Sequence, residues 1–269
     1  MQTLEGGCSL SNIDMHDMHW TLPVARWSAT AAGKVDIGFI EPMVRRRLSS
    51  LSRIALKVAH DCVGHQRVQH DQGDQHDLHD ERGVRIVFAS RHGELRRTTE
   101  ILRSIGEEEP VSPTSFSLSV LNAMTGIFGI DRGDRSPASA VSAGAETLGL
   151  ALLEAHAQFA VDPAWPVLVV YADEPADPVY GTIEDEVQGG ALAILIDARD
   201  TAGHLSCTLA RSAAPASAPV PEQRYFPTQS EAVVHCLDTH APAAWRFARQ
   251  ERELVLGDST WQWSWHEAA

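Results

Sequence analysis

The spacing of apolar residues changes several times along the chain, and each change marks an element. Trp20–Ser28 alternates loosely and predicts a first strand, followed by a turn at Phe39–Pro42. From Val44 to His60, Val44, Leu48, Leu51, Ala55 and Val58 recur at three- or four-residue steps and predict one helix. Val84–Ser90 is a short β-branched run, which predicts a buried strand. Glu94–Ile105 predicts an amphipathic helix with Leu95, Thr98, Leu102 and Ile105 on one side. Ser117–Ile130 is apolar nearly all round, through Leu118, Val120, Leu121, Met124, Ile127 and Phe128. A helix without a polar face must be covered on every side, by its own domain or by a second subunit. A polar loop at Gly133–Pro137 leads to a short strand, Ala138–Ala143, and then to a second apolar helix, Glu146–Phe159. Val167–Tyr171 reads as a strand, and Ala191–Asp197 with Leu205–Arg211 as a hairpin joined by Asp200–Gly203. A short helix at Ser230–Thr239 precedes a closing hairpin, Arg252–Leu256 with Trp261–Trp265, turning at Gly257–Asp258.

This order is α/β: a mostly parallel central sheet between helices, with a small β-rich appendage at the C-terminal end. The expected division is a flexible tail at 1–18, a main domain at 19–212, an Ala/Pro linker at 213–221 and the appendage at 222–269. Within the main domain, 64–83 is a His-rich loop with almost no apolar side chain, which predicts a solvated segment. Its irregular histidine spacing argues against a metal site.

Composition narrows the function. Apolar residues make up 43% and charged residues 22%, enough apolar surface for a sizeable core. The formal net charge of −14 argues against nucleic acid and against an anionic membrane surface. The triplet Arg45, Arg46 and Arg47 is a basic island on that background. Cys8, Cys62, Cys207 and Cys236 form no CxxC pair, so reduced thiols in a cytoplasmic setting are expected. No apolar run is long enough to span a bilayer, and the N-terminus lacks the features of a signal peptide. Neither a Walker loop, nor a GxGxxG fingerprint, nor a Gly-x-Ser-x-Gly elbow is present, so no cofactor is expected.

The most informative segment is Ser112–Glu154. It contains a helix with Asn122 and Gly126, a loop from Gly133 to Pro137, a strand, a turn of small residues (Ser142-Ala143-Gly144-Ala145-Glu146) and another helix. This succession resembles the N-terminal half of the β-ketoacyl synthases, in the thiolase-like superfamily. Four further blocks resemble chain-length-factor-type proteins of bacterial aryl-polyene and related pigment clusters. They are Phe39–Arg53, Val87–Glu94, Ser112–Asn122 and Tyr171–Pro175, and the resemblance spans roughly residues 20–200.

The resemblance implies a thiolase-like half-fold and a nucleophilic cysteine at the strand-to-helix turn, where a helix N-terminus stabilises a thiolate. Counted from Pro137, Ala145 takes that place, with Gly144 or Glu146 a register step away; none carries a thiol or a hydroxyl. The implied role is that of a non-catalytic subunit paired with an active ketosynthase in polyene or fatty-acid-like chain elongation. Phe116, Leu118, Val120, Asn122, Met124 and Phe128 would form the partner interface or the acyl tunnel. Arg45, Arg46 and Arg47 would face an acidic acyl carrier protein; the plain alternative is a solvated helix face. After residue 200, His204, His235, His240 and His266 fit no recognised motif. A second reading is a stand-alone acyltransferase or thioester hydrolase with a displaced nucleophile and His92 as base. Against it, Ser90 reads equally as a cap and His92 as a satisfied structural histidine.

Overall fold

Residues along the central strands alternate strictly between two apolar faces, and this decides the architecture. The computed structural model describes residues 17–64, 83–183, 186–212, 224–247 and 258–268. Val167, Val169 and Tyr171 face one core, while Leu168, Val170 and Ala172 face another. A strand apolar on both sides needs cover on both sides.

The strands are β1 (Met18–Ala31), β2 (Arg85–Ala89), β3 (Ala138–Val141), β4 (Val167–Asp173), β5 (Gly190–Ile196), β6 (Gly203–Ser212), β7 (Arg224–Tyr225), β8 (Ala243–Phe247) and β9 (Asp258–Glu267). They form one nine-stranded sheet in the order β3-β2-β4-β5-β1-β6-β9-β8-β7. The helices are α1 (Pro42–Arg45), α2 (Ser50–Val63), α3 (Leu95–Gly106), α4 (Pro113–Ser117), α5 (Ala123–Arg132), α6 (Thr147–Val161) and α7 (Gln229–Thr239). Residues of α6 and α7 close one core and residues of α2 and α5 the other. The segment expected as an appendage, 222–269, contributes α7, β7, β8 and β9 to this same sheet and core.

The sheet is mixed, which corrects the expectation of a mostly parallel one. β2 runs parallel to β3 and β4, and β7 parallel to β8, but the other five pairings are antiparallel. The expected β5–β6 hairpin is also corrected. β1 lies between the two strands, pairing through Val24–Ala31 with β5 and through Met18–Val24 with β6. The chain crosses β1 at 197–202, where Asp197 donates its N–H to Pro23 O and Ala202 its N–H to Val24 O. Such a crossing spans two strand spacings, about 10 Å, which six residues reach easily.

The single helix expected over Val44–His60 is two. Ser49 caps α2 by accepting the Ser52 N–H at 3.0 Å, so the helix restarts there. The fully apolar helix expected over Ser117–Ile130 is likewise interrupted, with α4 ending at Ser117 and α5 starting at Ala123. Nor is it covered on all sides: Val120 is 49% exposed and Ile130 82%, as is Phe116 just before it at 66%, whereas Met124 and Phe128 lie in the core. On α3 the expected apolar face is partly turned outward, with Leu102 and Ile105 exposed. Its inward residue is Thr99, whose hydroxyl meets the Tyr180 hydroxyl at 2.9 Å. Trp261–Trp265 belongs to β9, paired with β6 and with the unanticipated β8. Most of the tail, the His-rich loop, the linker and Arg252–Leu256 lie outside the described residues.

A candidate site at the strand-to-helix elbow

Parallel strands bring their C-terminal ends to one edge, and here β2, β3 and β4 end together. Side chains just past these ends form the site. Asp173, at the end of β4 and 1% exposed, accepts from the Ser90 hydroxyl at 2.8 Å, the Arg91 N–H at 2.8 Å and the His92 N–H at 3.1 Å. Burial pushes its carboxyl above the ordinary range, against the opposing pull of those donors. The Tyr171 hydroxyl is also raised, first by burial and then by the neighbouring Asp173. Ser90 caps the turn before α3, not the helix itself, by accepting the Gly93 N–H at 2.8 Å. The His92 ring pairs with Glu186 Oε1 at 2.8 Å. Burial alone would raise the Glu186 carboxyl; bonds from His92, Val187 N–H and Ala176 N–H outweigh it and hold the group low.

That last shift has a testable sign. A carboxyl held below its ordinary value stabilises the fold above that value and loses the contribution as pH falls. His92→Ala is therefore expected to lower the melting temperature at pH 7, with the deficit shrinking as pH falls below the ordinary Glu value of 4.5 toward the depressed value in the fold. A deficit that stays constant from pH 7 to pH 3 would mean that the pair contributes packing alone.

Beyond β3 the chain turns sharply into α6. A 3-10 turn at Gly144–Glu146 makes the bend, and Gly144 carries the positive φ of 58°. A β-carbon placed there would meet no atom within 4 Å. Gly144 is thus the left-handed residue of the elbow, and Ala145 follows it. Ala145 packs partly buried against the core. A cleft of about 20 Å³, room for one water, adjoins Gly144, Ala145, Arg91 and Gln229. It shares Tyr171, Val187 and Thr228 with a wider cavity of about 420 Å³ that also reaches Asp173, Glu231 and Asp238.

No thiol serves the elbow among the described residues. Cys62, Cys207 and Cys236 are free and buried, and burial pushes Cys62 and Cys236 up to about 12 and Cys207 upward as well. No histidine of the described residues lines the cleft. His235 packs at a tilt against Phe226, His240 stacks with Trp265, and His204 faces His266 across β6 and β9. No described hydroxyl or thiol is hydrogen-bonded to the His92 ring, which Glu186 occupies.

The other expected site residues lie elsewhere. Arg46 and Arg47 are exposed and Arg45 is half-buried; none pairs with a carboxylate among the described residues. Their turn is held from behind, where Arg53 donates to Arg45 O and Leu48 O and Arg97 donates to Arg47 O. Beside it runs a groove of about 460 Å³, lined by Val44, Leu48, Leu118, Ile127 and Ile130, with Arg47 among its polar residues. Phe116, Val120 and Asn122 are exposed and Leu118 is half-buried, so these four stand apart from the core residues Met124 and Phe128. Sequence reasoning missed the carboxylate knot at Asp173, whose signal was the acid within Tyr171–Pro175, and the contacts of Glu146.

Helices on both faces of one mixed sheet, with a strand-to-helix elbow, define a ketosynthase-like domain of the thiolase-like fold. The chain belongs to the family described as Beta-ketoacyl synthase, N-terminal domain, whose model matches residues 19–266. The match extends well past residue 200, where the sequence resemblance ended. Among solved structures, the chain is similar to one in the complex of the ketosynthase ApeO with its chain length factor ApeC from Xenorhabdus doucetiae. The two are 25% identical, cover 91% of this chain and 99% of that one, and superpose with a TM-score of 0.64. The ishigamide ketosynthase/chain length factor shares 13% identity, covering 93% and 99%, with a TM-score of 0.61. AntDE:AntF, a type II polyketide synthase acyl-carrier protein in complex with its ketosynthase bound to the hexaketide, shares 10%, covering 92% and 99%, with a TM-score of 0.56. The last two share the fold alone with this chain. No curated protein matches it. Among the described residues, no helix is long and apolar enough to cross a membrane.

Proposed function

We propose that this chain is a non-catalytic, chain-length-factor-type subunit that pairs with an active β-ketoacyl-ACP synthase in polyene or fatty-acid-like chain elongation. The observation that carries this reading is the elbow: its left-handed tip is Gly144 and its neighbour is Ala145, so neither position offers a nucleophile. The buried thiols and the absence of a described histidine at the cleft support it. Pairing is supported by the exposed apolar residues Phe116, Val120 and Ile130, and by β3, a short strand at the edge of the sheet. The partner supplies the thiol and the acid–base groups in this reading. Its test is co-expression with ketosynthases encoded beside this chain's gene. Stable co-purification with one of them is expected; a monomer that pairs with none overturns the reading.

The stand-alone acyltransferase or hydrolase reading has no described hydroxyl or thiol bonded to His92, and it is the weaker of the two. Acyl-thioester turnover by the isolated chain, abolished in His92→Ala, would reinstate it.

Arg46 and Arg47, exposed beside the apolar groove, are the proposed contact for an acyl carrier protein, with Arg45 behind them. Charge pairing of this kind acts mainly on association rate and is screened by salt. Arg46→Glu with Arg47→Glu is expected to weaken carrier binding roughly tenfold at low salt, about 1.4 kcal/mol, and to flatten its salt dependence. Unchanged affinity would make the triplet ordinary surface.

A further inference from the structure

A helix N-terminus stabilises a thiolate only while its positive end stays unopposed. At this elbow it is opposed. Glu146 occupies the N-cap position of α6. Glu146 Oε1 accepts from the Ser259 hydroxyl at 2.7 Å and from the Trp261 indole N–H at 2.9 Å, both on β9. Ser259 is 3% exposed and Trp261 fully buried, so the carboxylate is held in place from the core side. Three N–H groups around the turn are also committed. Ala143 donates to the Thr147 hydroxyl at 2.9 Å, Glu146 to Ala143 O at 3.2 Å and Thr147 to Gly144 O. One turn further on, Gly149 donates to Gln229 Oε1 at 2.8 Å.

We propose that Glu146, fixed by Ser259 and Trp261, keeps the elbow electrostatically silent, so that a thiol placed at its tip stays protonated at neutral pH until that charge is removed. The inference rests on the reading of Gly144 as the elbow tip. It adds that the missing thiol is only half of the silencing: an anion stands where catalysis requires an unopposed positive helix end. Glu146 is a positioning residue in this account. It ties the turn to the C-terminal strand and sets the local field.

The test uses the isolated full chain with Cys8→Ser as background, since the three described cysteines are buried. A cysteine is introduced as Gly144→Cys, where a β-carbon has room, alone and with Glu146→Gln. The amide of glutamine keeps an oxygen for Ser259 and Trp261 but drops the charge. Iodoacetamide alkylation is followed from pH 6 to pH 10, with a thermal melt of each variant. The single variant is expected to titrate at or above the ordinary thiol value, and the double variant to react about five- to tenfold faster at pH 7. Ala145→Cys, with and without Glu146→Gln, repeats the comparison without the positive φ, should the first pair melt early. Superimposable pH profiles within both pairs overturn the proposal, as does a single variant that already titrates below pH 7. A purely structural Glu146 would change the melt and leave the alkylation profile unmoved. None of these outcomes depends on a partner subunit, so failure here is separate from failure to co-purify with a ketosynthase.

Discussion

Trp261→Ala is expected to destabilise the fold by about 3–5 kcal/mol, the cost of emptying a large aromatic site in a core. Four contacts converge on this indole. Its ring meets Trp20 edge-on at a centroid distance of 6.0 Å and stacks on Trp263 at 6.2 Å. It also lies against the first turn of α6, so closely that a β-carbon on Gly149 would come within 2.4 Å of the ring. Its N–H is committed to Glu146 at the elbow. Removing the side chain therefore opens a cavity and frees the elbow from β9 at once. Against a total stability of about 5–15 kcal/mol, such a loss moves a urea midpoint far, and equilibrium denaturation monitored by far-UV circular dichroism reads it. A loss under about 1 kcal/mol would mean that β9 is not part of the cooperative core.

The second large effect concerns pairing, not folding. Phe116→Asp with Val120→Asp is expected to leave the melt of the isolated chain nearly unchanged, because both side chains are largely exposed. Affinity for the proposed ketosynthase partner should fall roughly a hundredfold, equivalent to losing two interface anchors of about 1.4 kcal/mol each. Titration of the purified partner onto immobilised chain measures it. Met124→Ala is the contrasting control. Its side chain is 2% exposed and packs in the core between sheet and helices, so it should lower stability by about 2–5 kcal/mol. Equal binding by the double variant and the parent would remove this surface from the interface.

The contrast between Val120 and Met124 also marks what the sequence could reveal. Both sit in one apolar stretch, and its composition alone demands cover for all of it. The helix breaks between α4 and α5, so a single helical period does not say which residues enter the core and which face outward. Local pattern fixes an element; it does not fix what lies on the far side of it. The same limit produced the misread hairpin. β5 and β6 are apolar strands joined by a short loop whether they pair with each other or with β1, and the alternation is identical in both arrangements. The parallel character of the sheet was overestimated for a related reason, since βαβ order is legible only around β2, β3 and β4.

By itself the sequence determined the α/β class, the buried strands, the helix that follows the elbow, and the elbow itself as a turn without a thiol. Those features follow from residue type and from spacing within a few turns of chain. Only the tertiary structure gave Gly144 the positive φ of the turn and put Asp173 under the Ser90–His92 loop. Only it brought Ser259 and Trp261 to Glu146, more than a hundred positions away along the chain. A contact at that separation leaves no local period to read. It exists because β9 pairs with β6 and carries its tryptophans beneath α6, and packing of that range is decided by the whole sheet.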